Sequence, residues 1–332
     1  MNIFTSSETY PQIRTIGIGL TSRCNLNCAH CYSRHMAEST FNLQDMQKVL
    51  SVFPNLESVN FGTGESILNK QFKEIVDLFY ARGVKLAVTS NGLSLNTMDE
   101  ETLKKFADVD VSIDFPDAAK HDEWRGKKGL FQEAIQAIER CKKYNINVSV
   151  VSVLMSNNYS DLPGFKKILD KYDINLRINL YKSVSTDEFT PTYDQFWSAI
   201  EGISRNFEVE SCSEPILSLV YDDVPGGSRC GSSVRIHPDG EVSSCVYVKD
   251  GLEPETFNNQ KKEVLDFCQS CPVRSKCVGG CYGRRTVEER SKKPDTYCPY
   301  YNNKPLPQFK LKKKKGGHDL IHSSYLCTII LR

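Results

Sequence analysis

Between residues 14 and 204, apolar β-branched runs alternate with stretches whose apolar residues recur at helical spacing. The runs predict strands over Arg14–Leu20, Leu56–Phe61, Val84–Thr89, Val109–Asp114, Asn147–Leu154 and Asn175–Tyr181. The helical stretches cover Leu43–Phe53, Lys70–Ala81, Thr97–Phe106, Phe131–Tyr144, Leu162–Lys171 and Tyr193–Ser204. Strict strand–helix alternation argues for right-handed crossovers and a parallel sheet, an α/β class. Six units predict a partial (β/α)6, TIM-like barrel, short of the closed eight. In such sheets chemistry gathers at the carboxyl ends of the strands.

From about Asn206 the alternation stops, and Gly, Pro and Cys rise. The chain therefore divides into a barrel over 1–205, a linker over 206–229 and a small cysteine-rich C-terminal domain over 230–301. Residues 302–332 are expected as a flexible basic tail. Its run Lys312–Lys315 reads as a solvated face, with docking of an acidic partner as the alternative. The apolar stretch Tyr325–Leu331 fits no element in this reading.

Composition narrows the class. The 332 residues are 39% hydrophobic and 25% charged, an ordinary globular mixture that excludes wholesale disorder. No run approaches the roughly 18 apolar residues of a membrane span. Lys plus Arg number 42 against 41 Asp plus Glu, so nothing points to nucleic acid. The N-terminal MNIFTSSETYPQ lacks the basic and apolar segments of a secretory signal, which predicts a cytoplasmic protein. In that compartment thiols stay reduced, so 13 cysteines point to metal binding or catalysis rather than to disulfides.

Cys24-x3-Cys28-x2-Cys31 lies in the loop after the first expected strand. Three soft thiolates in one loop suit one face of an iron–sulfur cube. They also suit a zinc ion, with His30 or His35 as the fourth ligand. Spacing alone leaves both open.

Cys24-Asn-Leu-Asn-Cys28-Ala-His-Cys31-Tyr32 resembles the signature of the radical S-adenosylmethionine (SAM) enzymes. The resemblance spans about residues 12–205. It implies a [4Fe–4S] cluster on Cys24, Cys28 and Cys31, with SAM chelating the open iron. The reduced cluster would cleave SAM to a 5′-deoxyadenosyl radical that takes hydrogen from substrate. Gly62-Thr63-Gly64-Glu65-Ser66 resembles the family's Gly-Gly-Glu-Pro loop for the SAM amine. Thr63 and Ser66 depart from it; Gly64 and Glu65 match. Ser90-Asn91-Gly92 follows the third strand, and its plain reading is a turn or cap. Ser112-Ile113-Asp114 ends the fourth, and Arg125 lies in a similar downstream stretch. The resemblance assigns Tyr32, Gly64, Glu65, Ser90, Asn91, Ser112, Asp114 and Arg125 to cofactor binding, with Ser112 and Arg125 on the SAM carboxylate. For Arg125 alone, a surface salt bridge is the ordinary reading.

The later cysteines resemble the SPASM extension of that family, which carries two auxiliary [4Fe–4S] clusters, three in all. By that resemblance Cys268, Cys271, Cys277 and Cys298 hold the distal cluster, and Cys230, Cys245 and Cys281 the nearer one. Structural zinc knots are the alternative. The nearer cluster's fourth ligand stays open between Cys212, water, Asp222, Asp223 or substrate, and Cys212 reads equally as a buried apolar side chain. Cys141 and Cys327 are expected to be structural.

SPASM-bearing enzymes mostly modify peptides, which implies a ribosomally made precursor peptide as substrate. Val246 after Cys245 counts against the formylglycine-forming class. The stretch before Cys24 is too short for a leader-binding domain, so a separate leader-binding protein is expected. The overall look is similar to maturases of Nif11-type precursors, including tyramine-excising spliceases. Crosslinking and epimerising maturases, a haem-pathway enzyme, and a non-catalytic zinc or iron–sulfur interaction protein are the alternatives. Flavodoxin or ferredoxin is the expected electron donor. Tyr181, Asp222, Asp223 and Tyr247 are acid–base candidates, each with packing or surface exposure as its plain reading.

Overall fold

The computed structural model describes residues 2–224, 234–249, 265–315 and 328–332. Six parallel strands form its centre: β1 (Thr15–Gly19), β2 (Ser58–Gly62), β3 (Lys85–Ser90), β4 (Phe106–Ser112), β5 (Asn147–Leu154) and β6 (Asn175–Leu180). They stand side by side in chain order, each paired in parallel with the next. Their near-continuous burial explains why they read as apolar runs rather than as alternation. The expected α/β class and parallel arrangement are present.

Helices α1 (Leu43–Val52), α2 (Phe72–Tyr80), α6 (Leu130–Lys143), α7 (Lys166–Tyr172) and α8 (Tyr193–Asn206) follow the expected pattern. Asn42 and Asp45 close a capping box at the start of α1, and Thr192 and Gln195 do the same for α8. The helix expected over Thr97–Phe106 is instead two short pieces, α3 (Leu93–Thr97) and α4 (Glu100–Leu103). Asp99 restarts the chain by accepting from the Thr102 amide at 2.9 Å, and Phe106 already begins β4. Helix α5 (Ala118–Arg125) was not expected, because it has no apolar stripe; Asp117 caps it and Gly126 at φ 71° ends it.

The segment after α8 is not a loose linker. Residues Val209–Cys212 form β7, and a buried 3-10 turn, Pro215–Leu219, follows. The expected flexible tail is also corrected. Thr328–Leu331 form a strand, β10, wedged antiparallel between β6 and β7, and all four residues are buried. Its three apolar side chains, worth about 2 kcal/mol each on burial, favour the sheet over solvent. Lys312 and Lys314 pair through their backbone with Val209 on the β7 edge. On the far side, β8 (Val234–Ile236) runs parallel to β1, and β9 (Val242–Ser243) closes antiparallel. Among the described residues no helix is long and apolar enough to cross a membrane.

Candidate active site

The carboxyl ends of β1 to β6, β8 and the Val246–Tyr247 turn enclose one cavity of about 210 Å³. Cys24, Cys28 and Cys31 line it from the loop after β1. That loop is pinned at its base, where Ser22 donates to Ser39 O at 2.9 Å and Thr21 Oγ1 meets Thr40 Oγ1 at 2.7 Å. Burial pushes the Cys28 thiol up to about 11, against the pull of Arg125. Among the described residues no three His, Cys, Asp or Glu side chains gather tightly enough to hold a single metal ion. Three thiols of one loop around an open cavity are the donor set of one face of an iron–sulfur cluster.

The loop after β2 lies beneath the cysteine loop. Glu65 N donates to Arg23 O at 2.8 Å. Gly64 has φ 59°, and a Cβ there would stand 2.4 Å from Arg23 O, so only glycine fits. Thr63, where the similar family has glycine, keeps a left-handed φ of 69°. Its Oγ1 meets Tyr32 Oη at 2.9 Å, which anchors a conformation that threonine otherwise disfavours. Glu65 is 1% exposed; Ser90 Oγ donates to one carboxylate oxygen at 2.7 Å and Asn91 N to the other at 3.0 Å. Burial pushes its carboxyl up to about 6 despite those bonds.

Across the cavity, Arg125 is not at the surface. Its Nε donates to Asp114 Oδ2 at 2.9 Å, and Val153 N donates to Asp114 Oδ1 at 3.2 Å. Burial would raise the Asp114 carboxyl, but Arg125, His30, His121 and the Val153 amide together outweigh it and hold it at about 2. His30 Nε2 lies 3.4 Å from the same Oδ2, and its ring stacks on Trp124 at 5.3 Å. Burial lowers His30 to about 4, so it is neutral at pH 7.

Tyr32, Gly64, Glu65, Ser90, Asn91, Ser112, Asp114 and Arg125 all line this one cavity. Tyr181 lines it too, with its hydroxyl donating to Thr186 O at 2.8 Å. Tyr247 lines it edge-on to Tyr32 at 5.1 Å, with Lys182 Nζ 4.5 Å above its ring. Asp222 and Asp223 do not line it: Asp223 pairs with Lys313 at 2.7 Å, and Asp222 faces Lys310 at 3.9 Å. Lys182, Arg235 and His237 were missed as cavity residues, while His30, offered as a fourth zinc ligand, lines the cavity beside Asp114. His30 was legible in part, since it lies inside the cysteine motif.

Cys268, Cys271, Cys277 and Cys298 line a second, small apolar cavity against Ile216 and Leu219. Burial pushes the Cys268, Cys277 and Cys298 thiols up. Cys245 and Cys281 pack together with Val248, and a Cβ on Gly283 would stand 2.9 Å from Cys245 Sγ. Cys281 N donates to Asp295 Oδ2 at 2.9 Å. Asp295 and Glu214 both pair with the fully buried Arg284, which fastens this region to the end of β7. Cys230 and Cys327 lie outside the described residues. Cys212 sits in the sheet opposite Ile329, with Glu214 O 4.0 Å from its sulfur, and is core. Cys141 is buried on α6, as expected of a structural residue.

The core is thus a parallel α/β sheet with three cysteines after its first strand and a Gly-Glu loop after its second. Residues 18–168 match the Radical SAM superfamily; the chain carries that domain and is a radical SAM enzyme. It is 29% identical over 318 residues to the antilisterial bacteriocin subtilosin biosynthesis protein AlbA of Bacillus subtilis, covering 84% of this chain and 69% of AlbA. It is 25% identical over 300 residues to the mycofactocin maturase MftC of Mycolicibacterium smegmatis, covering 79% and 76%. An AdoMet-dependent heme synthase of Oleidesulfovibrio alaskensis matches 171 residues at 25%, or 49% of this chain and 43% of the synthase. The fold is shared with Streptococcus suis SuiB bound to SAM, at TM-score 0.65 and 14% identity over 86% of this chain and 77% of SuiB.

Proposed function

We infer that this chain is a peptide maturase that modifies a ribosomally made precursor. One observation carries the reading. The similarity to AlbA and to the maturase MftC runs over 84% and 79% of this chain, whereas that to two heme synthases covers 49% and 66%. SuiB, which shares the fold, has been seen bound to its precursor peptide SuiA, which supports a peptide substrate.

In this reading Cys24, Cys28 and Cys31 hold the [4Fe–4S] cluster. When bound, cluster and SAM together supply a carbon radical that abstracts hydrogen. The protein's part is to bind, orient and exclude water. Glu65, fixed by Ser90 and Asn91, presents two oxygens to the SAM amine. Asp114 orients Arg125, and Ser112 stands beside it on β4, for the SAM carboxylate. Tyr32, tied to Thr63, closes the wall toward the cysteine-rich region. Cys268, Cys271, Cys277 and Cys298 would hold one auxiliary cluster, and Cys230, Cys245 and Cys281 another. A separate leader-binding protein and a flavodoxin or ferredoxin donor complete the proposal. Excision of a tyramine unit is the finer subclass proposed, and product mass decides it.

The test is anaerobic iron and sulfide content together with SAM cleavage after dithionite, for wild type and Cys24/Cys28/Cys31→Ala. About twelve irons per chain falling to about eight, with 5′-deoxyadenosine from wild type alone, is expected. Zinc in place of iron, or no cleavage by the loaded protein, would refute it. A mass change in a co-expressed precursor peptide then identifies the reaction.

A further inference from the structure

The cysteine-rich region meets the end of β7 at a buried group of three charges. Arg284 Nη2 donates to Glu214 Oε1 at 2.9 Å, and Arg284 Nε donates to Asp295 Oδ1 at 3.1 Å. All three residues are fully buried. Asp295 also reaches ligand cysteines of both proposed auxiliary clusters. Its Oδ2 accepts from Cys281 N at 2.9 Å, and its backbone carbonyl accepts from Cys298 N at 3.0 Å. Its own N donates to Gly279 O at 2.9 Å, and Gly280 N donates to Cys277 O at 2.8 Å. Gly280 has φ 91°, and a Cβ there would stand 2.3 Å from Asp295 Oδ2, so only glycine leaves room for this carboxylate.

An apolar contact of the same volume would fasten the two parts as well or better. Here two carboxylates share one guanidinium, so the group carries one formal negative charge away from water. Reduction adds an electron, and therefore negative charge, to an iron–sulfur cluster. A fixed carboxylate in a dry setting opposes that step, and net charge is one of the levers that set a cluster's potential. Hydrogen bonds to the sulfurs act in the opposite sense. Arg284 N lies 3.5 Å from Cys281 Sγ, and a change of charge at Asp295 leaves that backbone donor in place.

We propose that Asp295 is a positioning residue shared by both auxiliary clusters, and that its buried charge holds both at low reduction potential. The inference rests on the reading of the later cysteines as ligands of two clusters, and deepens it. A cluster held low passes its electron on readily. Because one carboxylate serves the Cys281 side and the Cys277 and Cys298 side together, one substitution moves both potentials in the same direction.

The test is an anaerobic redox titration of the cluster-loaded full chain, followed by electron paramagnetic resonance, with iron measured on the same samples. Asp295→Asn keeps the side-chain shape and an acceptor for Cys281 N, and removes the charge. It should retain wild-type iron and shift both auxiliary potentials upward, by about tenfold or more in each reduction equilibrium. The SAM-cleaving cluster should move less. If Asp295→Asn loses iron, Glu214→Gln removes a carboxylate from the same guanidinium and should shift both potentials upward in its place. Full iron with potentials unmoved or lowered, or a shift of one auxiliary cluster alone, overturns the assignment. So does iron loss in Asp295→Asn with unmoved potentials in Glu214→Gln, which leaves Asp295 a structural residue. About four irons per wild-type chain would instead overturn the auxiliary-cluster reading, and this inference with it.

Discussion

Arg125 meets Asp114 side-on, with Nε at 2.9 Å and Nη2 at 2.8 Å from a single oxygen, Oδ2. Asp114 is fully buried, and the Arg125 side chain is 9% exposed. The pair fixes a cation that would otherwise swing on a flexible stem. Asp114→Asn keeps the shape and removes the charge. SAM affinity should fall about tenfold and unfolding free energy by about 3 kcal/mol. Calorimetric SAM titration and urea unfolding measure the two; unchanged SAM affinity would detach Arg125 from the cofactor.

A carboxyl raised to about 6 is mostly neutral at pH 5 and ionised at pH 7.5. Glu65 is raised in this way by burial. If it receives the SAM amine, affinity should rise with pH across this window, by about tenfold from pH 5 to 7.5. Glu65→Gln should bind weakly at both values. Equilibrium dialysis at the two pH values checks the slope, and a wild-type affinity flat with pH would remove Glu65 from amine binding.

Two glycines with positive φ separate contact from conformation. Gly64 at φ 59° lies against the Arg23 and Thr21 carbonyls, whereas Gly126 at φ 71° has nothing within 4 Å of its Cβ position. Gly126→Ala should cost about 1 kcal/mol, the strain of the left-handed backbone. Gly64→Ala should cost about 2 kcal/mol or more and abolish SAM binding, because the cysteine loop must shift. Urea midpoints for the two variants give the comparison.

Cys298 and Cys212 make opposite predictions. Cys298 shares a cavity with three other cysteines, and Cys212 lies in the sheet core. Cys298→Ala should lose about four irons per chain. Cys212→Ala should keep its iron and lose about 1–2 kcal/mol of stability. Iron loss from Cys212→Ala would make it a ligand after all.

The parallel strands were legible because burial on both faces leaves continuous apolar runs such as Leu86–Val88. Cysteine loops were legible because ligand type and spacing act locally. What escaped needed distant partners. β10 is four residues long, and it makes sense only against β6, where Thr328 Oγ1 meets Asn179 Oδ1 at 2.5 Å. Asp110 on β4 and Arg177 on β6 are 67 residues apart in sequence, and only the folded sheet brings them to 2.8 Å. The α5 helix escaped because only His121 is buried on it, so no stripe forms.

The position of β10 also sets an order of assembly during synthesis. The wall between β6 and β7 has a gap until residues 328–331 have been made, because Thr328 closes it against a residue 149 positions earlier. A nascent chain with all three cysteines of its first loop in place still presents two unpaired strand edges. Its core is therefore open to water and to other chains until translation passes Leu331. Cluster loading of a finished cavity must therefore await residues 328–331 rather than accompany the emergence of Cys31.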